Sequence, residues 1–313
     1  MLRVVFMGTP EFAVPALEVV AKAFDVVAVY TQPDRPVGRG LEVKASSVKL
    51  QAARLGIPVH QPERLSMPGE FEKLAVFAPD VIVVVAFGQI LKRNVLDLPR
   101  LGCVNIHSSL LPRWRGAAPI QHAILAGDNE SGVTTMKLVE KLDAGAILLQ
   151  EKTPITPSDT GSTLHDRLAE IGARLILPTL RGLADGTIAA HEQNEAHVTY
   201  ASKLTKEMEV LDFARTSVEL DRQIRALNPW PGTTLLLESG DRLKIKEAKL
   251  WKDISGPVGS IYEKAGMLLL GTAQGSLELV RLQFQGKKEV NAAAFLNGLR
   301  GRGQVLPIRL KSM

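Results

Sequence analysis

Along the first half of the chain, apolar residues fall in short unbroken runs separated by stretches with helical spacing. Residues 3–7 (RVVFM), 26–31 (VVAVYT) and 81–87 (VIVVVAF) each predict a strand. The third is apolar at every position, as expected for a strand covered on both faces. After Gly8, TPEFAVPALEVVAKA predicts a helix with Thr9 as cap, Pro10 in its first turn and Glu11 at the positive end of its dipole. CVNIH at 103–107 predicts a further strand, and APIQHAILAGD a helix. VTTMKLV at 133–139 and GAILLQEKTPI at 145–155 predict a strand pair with EKLDAG between them, followed by a long amphipathic helix, TLHDRLAEIGARLILPTLRGLADG. Strands alternating with helices predict an α/β doubly wound domain, with ligands at the carboxyl ends of the strands.

The pattern changes after residue 189. AAHEQNEAHVTYASKLT is polar and lacks periodicity, so residues 190–205 read as a linker. SVELDRQIRAL predicts a helix that NPWPGT stops, because proline cannot continue it. TTLLLE, RLKIKEAKLW, VGSIY, GMLLLGT and SLELVRLQFQ follow, separated by the turn segments ESGD, EKAG and TAQG. Five short strands so closely spaced predict a small β-barrel of the oligonucleotide-binding type. A helix at 290–299 leads into a basic tail, RGRGQVLPIRLK. The expected organisation is a catalytic α/β domain at 1–189, the linker at 190–205 and the barrel domain at 206–313.

Composition narrows the class. A length of 313 residues suits two domains. No apolar run reaches the roughly 20 residues that span a bilayer, and the amino terminus lacks the cleavage site of a signal peptide. The single cysteine, Cys103, excludes an internal disulfide framework, and the six His show no metal-ligand spacing. No metal site and a cytoplasmic location are therefore expected. Net charge is +5, and all of it lies in the last third. Residues 1–205 hold 21 Lys+Arg against 21 Asp+Glu, whereas residues 206–313 hold 17 against 12. A basic back on a neutral front suits either a polyanionic partner or a lysine-rich solvated surface.

The candidate chemistry clusters in CVNIHSSLLPRWRGAAP. Strand parity places Cys103, Asn105 and His107 on one face and Val104 and Ile106 on the other. Histidine suits proton transfer near neutrality, and an asparagine N–H can hold a developing oxyanion. Asp143, in LDAG at the strand-to-strand turn, is the candidate third group, one that would fix the His107 ring. A plainer account stays open, with Asp143 stabilising a turn and His107 a satisfied core residue. Ser108 and Ser109 lack the G-x-S-x-G context of a nucleophile. Cys103 lies deeper on the strand and reads as a small buried hydrophobe. Gly8 belongs to no G-x-G-x-x-G or Walker sequence, so it reads as a structural turn and NAD and ATP are disfavoured. The long loop TQPDRPVGRGLEVKASSVKL carries Arg35, Arg39, Lys44 and Lys49 and suits either a phosphate clamp or a surface insertion. Arg113 and Arg115 stay open between fold support and substrate contact.

NIHSSLLPRWRGAAPI together with MKLVEKLDAGAIL resembles the folate-dependent formyltransferase family. FMGTPEFAVPAL, TQPDRPVGRG, SGVTTM and IRALNPWPGT extend the resemblance, in order, over nearly the whole chain, and within that family they resemble the members that act on methionyl-tRNA. The resemblance implies a Rossmann-like doubly wound formyltransferase domain followed by an OB-like barrel. It implies transfer of the formyl group of 10-formyltetrahydrofolate to the α-amino group of methionyl initiator tRNA, giving N-formylmethionyl-tRNA for translation initiation. Asn105, His107 and Asp143 would be catalytic: Asn105 holding the oxyanion, His107 assisting at the same oxygen, Asp143 orienting His107 and relaying a proton to the leaving N10. Ser109, Leu110, Leu111 and Pro112 would contact folate, and Arg39 the tRNA acceptor stem. The barrel would follow the tRNA backbone through phosphate and shape. The donor would be a co-substrate, with no permanently bound cofactor, no metal and no membrane, and the chain a monomer. The alternative is a related formyltransferase acting on a small amine or nucleotide sugar. An RNA-binding protein with a degenerate catalytic domain would have lost the Asn, His or Asp, and all three are present.

Overall fold

In the computed structural model, which describes residues 1–37, 42–301 and 306–311, the apolar runs of the first half become neighbouring strands of one sheet. The strands here are β1 (Arg3–Gly8), β2 (Asp25–Tyr30), β3 (Arg35–Val37), β4 (Glu42–Lys44), β5 (Val59–His60), β6 (Val81–Val85), β7 (Cys103–His107), β8 (Arg115–Gly116), β9 (Glu130–Lys137), β10 (Ile147–Pro154) and β11 (Tyr200–Ala201). The helices are α1 (Val14–Ala23), α2 (Ser47–Arg54), α3 (Glu70–Ala75), α4 (Arg93–Leu96), α5 (Pro119–Ala126) and α6 (Gly161–Asp185). The main sheet runs β10-β9-β7-β6-β1-β2-β5. Its β7-β6-β1-β2-β5 part is parallel, and β9 and β10 add an antiparallel end. Every residue of β6 is buried, which is why that run carries no polar alternation.

Strand order reverses between β1 and β6, the place where doubly wound sheets open a crevice. Thr9 stands there and does not cap a helix. Its hydroxyl donates to the Phe87 carbonyl (3.0 Å) and accepts from the Gln32 N–H (3.4 Å), tying the ends of β1, β2 and β6 together. A 3-10 turn at Glu11–Ala13 intervenes, and α1 starts at Val14 with a proline in its first turn. Gly8 is a packing glycine: a Cβ there would lie 2.9 Å from the Phe6 ring and 3.1 Å from the Val85 carbonyl.

The chain divides into two compact units: residues 1–119, 130–154 and 165–201 in the first, and 120–129, 155–164 and 202–313 in the second. The second contains α7 (Ser217–Ala226), β12 (Thr233–Leu236), β13 (Arg242–Trp251), β14 (Ser260–Lys264), β15 (Met267–Gly271), β16 (Ser276–Phe284), β17 (Val290–Asn291), α8 (Ala292–Arg300) and β18 (Ile308–Arg309). Its sheet runs β12-β13-β16-β15-β14-β18, with β17 beside β16. A bridge from Leu237 to Leu310 joins the first strand to the last and closes a barrel. The end of the chain, expected as a basic tail, thus supplies the closing strand. Leu310 enters a leucine-rich core with Leu235, Leu243, Leu270 and Leu279. Closure removes the free edges that an open sheet would expose.

The α7 amino terminus gives a test. Thr216 and Glu219 form a reciprocal capping box: the Glu219 carboxylate accepts from the Thr216 N–H (2.9 Å) and the Thr216 hydroxyl accepts from the Glu219 N–H (3.3 Å). The Thr216 N–H, then its hydroxyl and Arg215, hold the Glu219 carboxyl down from 4.5 to about 2. Thr216→Ala should cost about 1 kcal/mol in urea unfolding. A carboxyl depressed in the folded state stabilises above its unfolded value and loses that effect as pH falls through its folded value. The destabilisation caused by Glu219→Gln should therefore be largest above pH 4.5 and vanish toward about pH 2. A penalty independent of pH would contradict this role.

Candidate active site

The end of β7 carries the first two groups. Ile106 packs toward Gly172 of α6, whereas the Cys103 thiol faces the Val95 carbonyl of α4. Asn105 and His107 share the Cys103 face by strand alternation. Asn105 lies between Val84 of β6 and Met136 of β9, and His107 opposite Thr134. Both are buried at the carboxyl end of the strand. No hydrogen bond involves the Asn105 carboxamide among the described residues, so its N–H groups are available to a substrate oxygen.

A sharp turn then folds residues 109–116 back over the strand end. The Ser109 hydroxyl donates to the Arg113 carbonyl (2.6 Å), and its own carbonyl accepts from Thr134 Oγ1 (2.7 Å). Thr134 Oγ1 in turn accepts from the Leu111 N–H (3.1 Å), and Gln150 donates to the Leu111 carbonyl (2.9 Å). Ser109 and Leu111 are buried, and Leu111–Pro112 is a cis peptide. The Ser109 hydroxyl is thus committed to building the turn. Trp114, at φ +65°, aims its carbonyl at His107 Nε2, 2.9 Å away, while Arg113 stacks over the indole at 4.3 Å. A carbonyl only accepts, so Nε2 carries a proton and Nδ1 is the ring atom left to exchange one.

Nδ1 faces Asp143. The Asp143 Oδ2 atom lies 3.8 Å from it and accepts from the Gly116 N–H at 2.8 Å. Three segments thus meet at the end of β7, each with a different contact. Trp114 directs the ring, and Asp143 stands opposite the exchangeable nitrogen without a direct hydrogen bond to it. Gly116 needs to be glycine: its φ is +119°, and a Cβ would sit 2.5 Å from the Ala201 carbonyl.

Residues 191–201, expected as part of the linker, pack as a strap in the first unit. His191 exchanges backbone hydrogen bonds with Ile147. The Trp114 N–H donates to Thr199 Oγ1, the Arg115 N–H to the Thr199 carbonyl, and the Ala117 N–H to the Ala201 carbonyl. Arg115 is 0% exposed. Its Nε donates to Gln193 Oε1 and its Nη2 to Glu195, each at 2.9 Å, which identifies it as a scaffold residue. The Arg115 bond, and then one from Lys141, hold the Glu195 carboxyl below the usual range. Gln193 and Thr199 carried no sequence signal, because an irregular segment shows no period and its partners lie about 80 residues away.

The remaining candidates separate. Arg39 lies outside the described residues. The expected loop around it begins and ends as a β3–β4 hairpin, on which Arg35 and Lys44 are exposed. Lys49 is paired with Asp34 at 2.5 Å and is not a free cation. His165 contacts Asp166 and the Phe12 ring. Among the described residues no cluster of His, Cys, Asp and Glu could hold a metal ion, and no helix is long and apolar enough to cross a membrane.

A family model described as formyl transferase matches residues 2–180, and one described as formyl transferase, C-terminal domain, matches residues 203–300. The methionyl-tRNA formyltransferase of Ectopseudomonas mendocina (strain ymp) is 49% identical over 302 residues, covering 96% of this chain and 95% of its own. That of Halorhodospira halophila (strain DSM 244 / SL1) is 48% identical over 302 residues, covering 95% and 96%. Among solved structures, an N-formyltransferase from Helicobacter canadensis, in complex with folinic acid and dTDP-3-aminofucose, superposes with a TM-score of 0.65 at 21% identity, over 93% of this chain and 100% of its own. HypX from Aquifex aeolicus, in complex with tetrahydrofolic acid, gives a TM-score of 0.63 at 16% identity, over 99% and 51%. These two likenesses concern the fold.

Cys103 gives a direct check on the geometry of this strand face. Burial pushes its thiol up to about 12, so the thiolate that reacts is scarce at neutral pH. The native chain should resist a thiol reagent at pH 8 and label only on unfolding. Rapid labelling, read by mass spectrometry, would place Cys103 at an accessible surface instead.

Proposed function

The chain belongs to the formyl transferase family, and we propose that it moves the formyl group of 10-formyltetrahydrofolate to the α-amino group of methionyl initiator tRNA. The observation that carries this reading is the meeting of Asn105, His107 and Asp143 at one end of β7, in a chain similar over nearly its full length to relatives named for that acceptor. The free amine attacks the formyl carbon, and the carbonyl electron pair moves to oxygen. An Asn105 N–H donates to that oxygen, with His107 beside it. The new C–N bond forms, the C–N10 bond breaks and the amine loses a proton, while N10 leaves with one. His107 Nδ1 and the Asp143 carboxylate, 3.8 Å apart and so without a direct hydrogen bond, handle the proton, which reaches N10 through water.

Ser109 to Pro112 shape the wall against folate, with Ser109 acting through the turn it closes. Arg39 engages the acceptor stem, and the excess positive charge of residues 206–313 follows tRNA phosphates. The protein works as a monomer in the cytoplasm and holds no resident cofactor.

The deciding assay measures formyl transfer from 10-formyltetrahydrofolate to methionyl initiator tRNA, with elongator methionyl-tRNA as control. Failure to formylate the initiator overturns the reading. His107→Ala should lower kcat by about 10²–10⁴, and Asn105→Ala by about 10²–10³, with tRNA binding retained. A full rate in either variant removes that residue from the chemistry. Arg39→Ala should raise KM for the charged tRNA more than for folate, and tRNA affinity should fall steeply with salt. A flat salt response rules out the phosphate contacts.

A further inference from the structure

We propose that Gln193 is a positioning residue for this formyl transfer, holding the Asp143 loop in the one backbone conformation that sets its carboxylate opposite His107 Nδ1. The proposal rests on the reaction assigned above. Gln193 is buried, and its Nε2 donates to the Asp143 carbonyl and to the Gly145 carbonyl, both at 2.8 Å. It therefore grips the loop on either side of Ala144. Asp143 needs such a grip because its φ is +46°, a left-handed region that a residue with a side chain enters only at a cost. The conformation persists only where neighbours over-determine it. Gly145 adds to this, since a Cβ there would collide with the Lys137 carbonyl.

The orientation of the Gln193 amide is fixed by the opposite end. Arg115 Nε–H can only donate, so the atom it meets at 2.9 Å is the amide oxygen, and the NH₂ group must face the two carbonyls. Arg115 is fully buried and its backbone is paired with the strap. Glu195 ties the same loop a second time, accepting from Lys141 at 3.0 Å while it accepts from Arg115. The position therefore calls for a side chain that accepts at one end and donates twice at the other. Glutamine meets that demand. Glutamate would aim an oxygen at two carbonyls, and leucine would make neither contact.

The test compares Gln193→Leu and Gln193→Glu with the wild-type chain and with Asp143→Asn. Steady-state formylation is measured together with the ¹⁵N resonances of the His107 ring. Displacement of Asp143 by part of an ångström should lower kcat roughly tenfold to a hundredfold, with KM for both substrates within about twofold. The His107 Nδ1 resonance should move in the direction that Asp143→Asn moves it. A wild-type kcat in a folded variant, or an unmoved resonance, overturns the proposal. Activity lost only in step with folded protein also counts against it, since that is the behaviour of a purely structural residue. If the wild-type chain forms no formyl product, the reaction assignment fails, and the His107 resonance still decides whether Gln193 positions Asp143.

Discussion

The site depends on one hydrogen bond between backbone and side chain, from the Gly116 N–H to Asp143 Oδ2 at 2.8 Å. It joins the turn after β7 to the loop after β9. It holds the carboxylate end of Asp143, while Gln193 holds the backbone of the same loop. For that N–H to point at Asp143, the chain must pass through φ +119° at Gly116 and lie against the Ala201 carbonyl. Only glycine permits that approach. The parallel pairing of β8 with β11 holds the strand from its other side.

Around this bond the work is divided between regular and irregular structure. The β7 ladder sets Asn105 and His107 in depth and direction, because a strand paired on both edges cannot slip by one residue without turning both polar groups into the wrong face. The Ser109–Gly116 turn then supplies what the ladder cannot: a carbonyl that fixes the imidazole tautomer and an N–H that fixes the carboxylate. Asp143 is thereby released from orienting the ring. It stands 3.8 Å from Nδ1, beyond the distance of a direct hydrogen bond. A buried arginine with one guanidinium nitrogen lacking a hydrogen-bond partner among the described residues would normally be a liability. Here Arg115 is retained where its other nitrogens organise the strap.

Local pattern made much of this legible. The all-apolar run of β6 pointed to a strand covered on both faces, and the alternation in CVNIH separated Asn105 and His107 from Val104 and Ile106. LDAG at a strand-to-strand turn offered Asp143 as the candidate third group, and the resemblance to folate-dependent formyltransferases implied its catalytic role. Local pattern misleads where a residue serves a distant partner. Thr9 looks like a helix cap in sequence but bonds to the Phe87 carbonyl 78 positions away. The last residues look like a basic tail but close a barrel through Leu310. The 191–201 strap looks like a linker because its regularity resides in its partners.

Sequence by itself determined the principal strands of both sheets, the faces that alternate along β7, the concentration of positive charge in the last third and the candidacy of Asn105, His107 and Asp143. These follow from period, parity and motif, all properties of neighbours along the chain. Only the tertiary structure decided that Trp114 directs the imidazole, that Gly116 holds the carboxylate and that Arg115 and Gln193 belong to the scaffold of the site. Those roles rest on hydrogen bonds made by buried backbone groups and side chains across as many as 85 residues, where burial removes water as an alternative partner and folding alone selects the protein one.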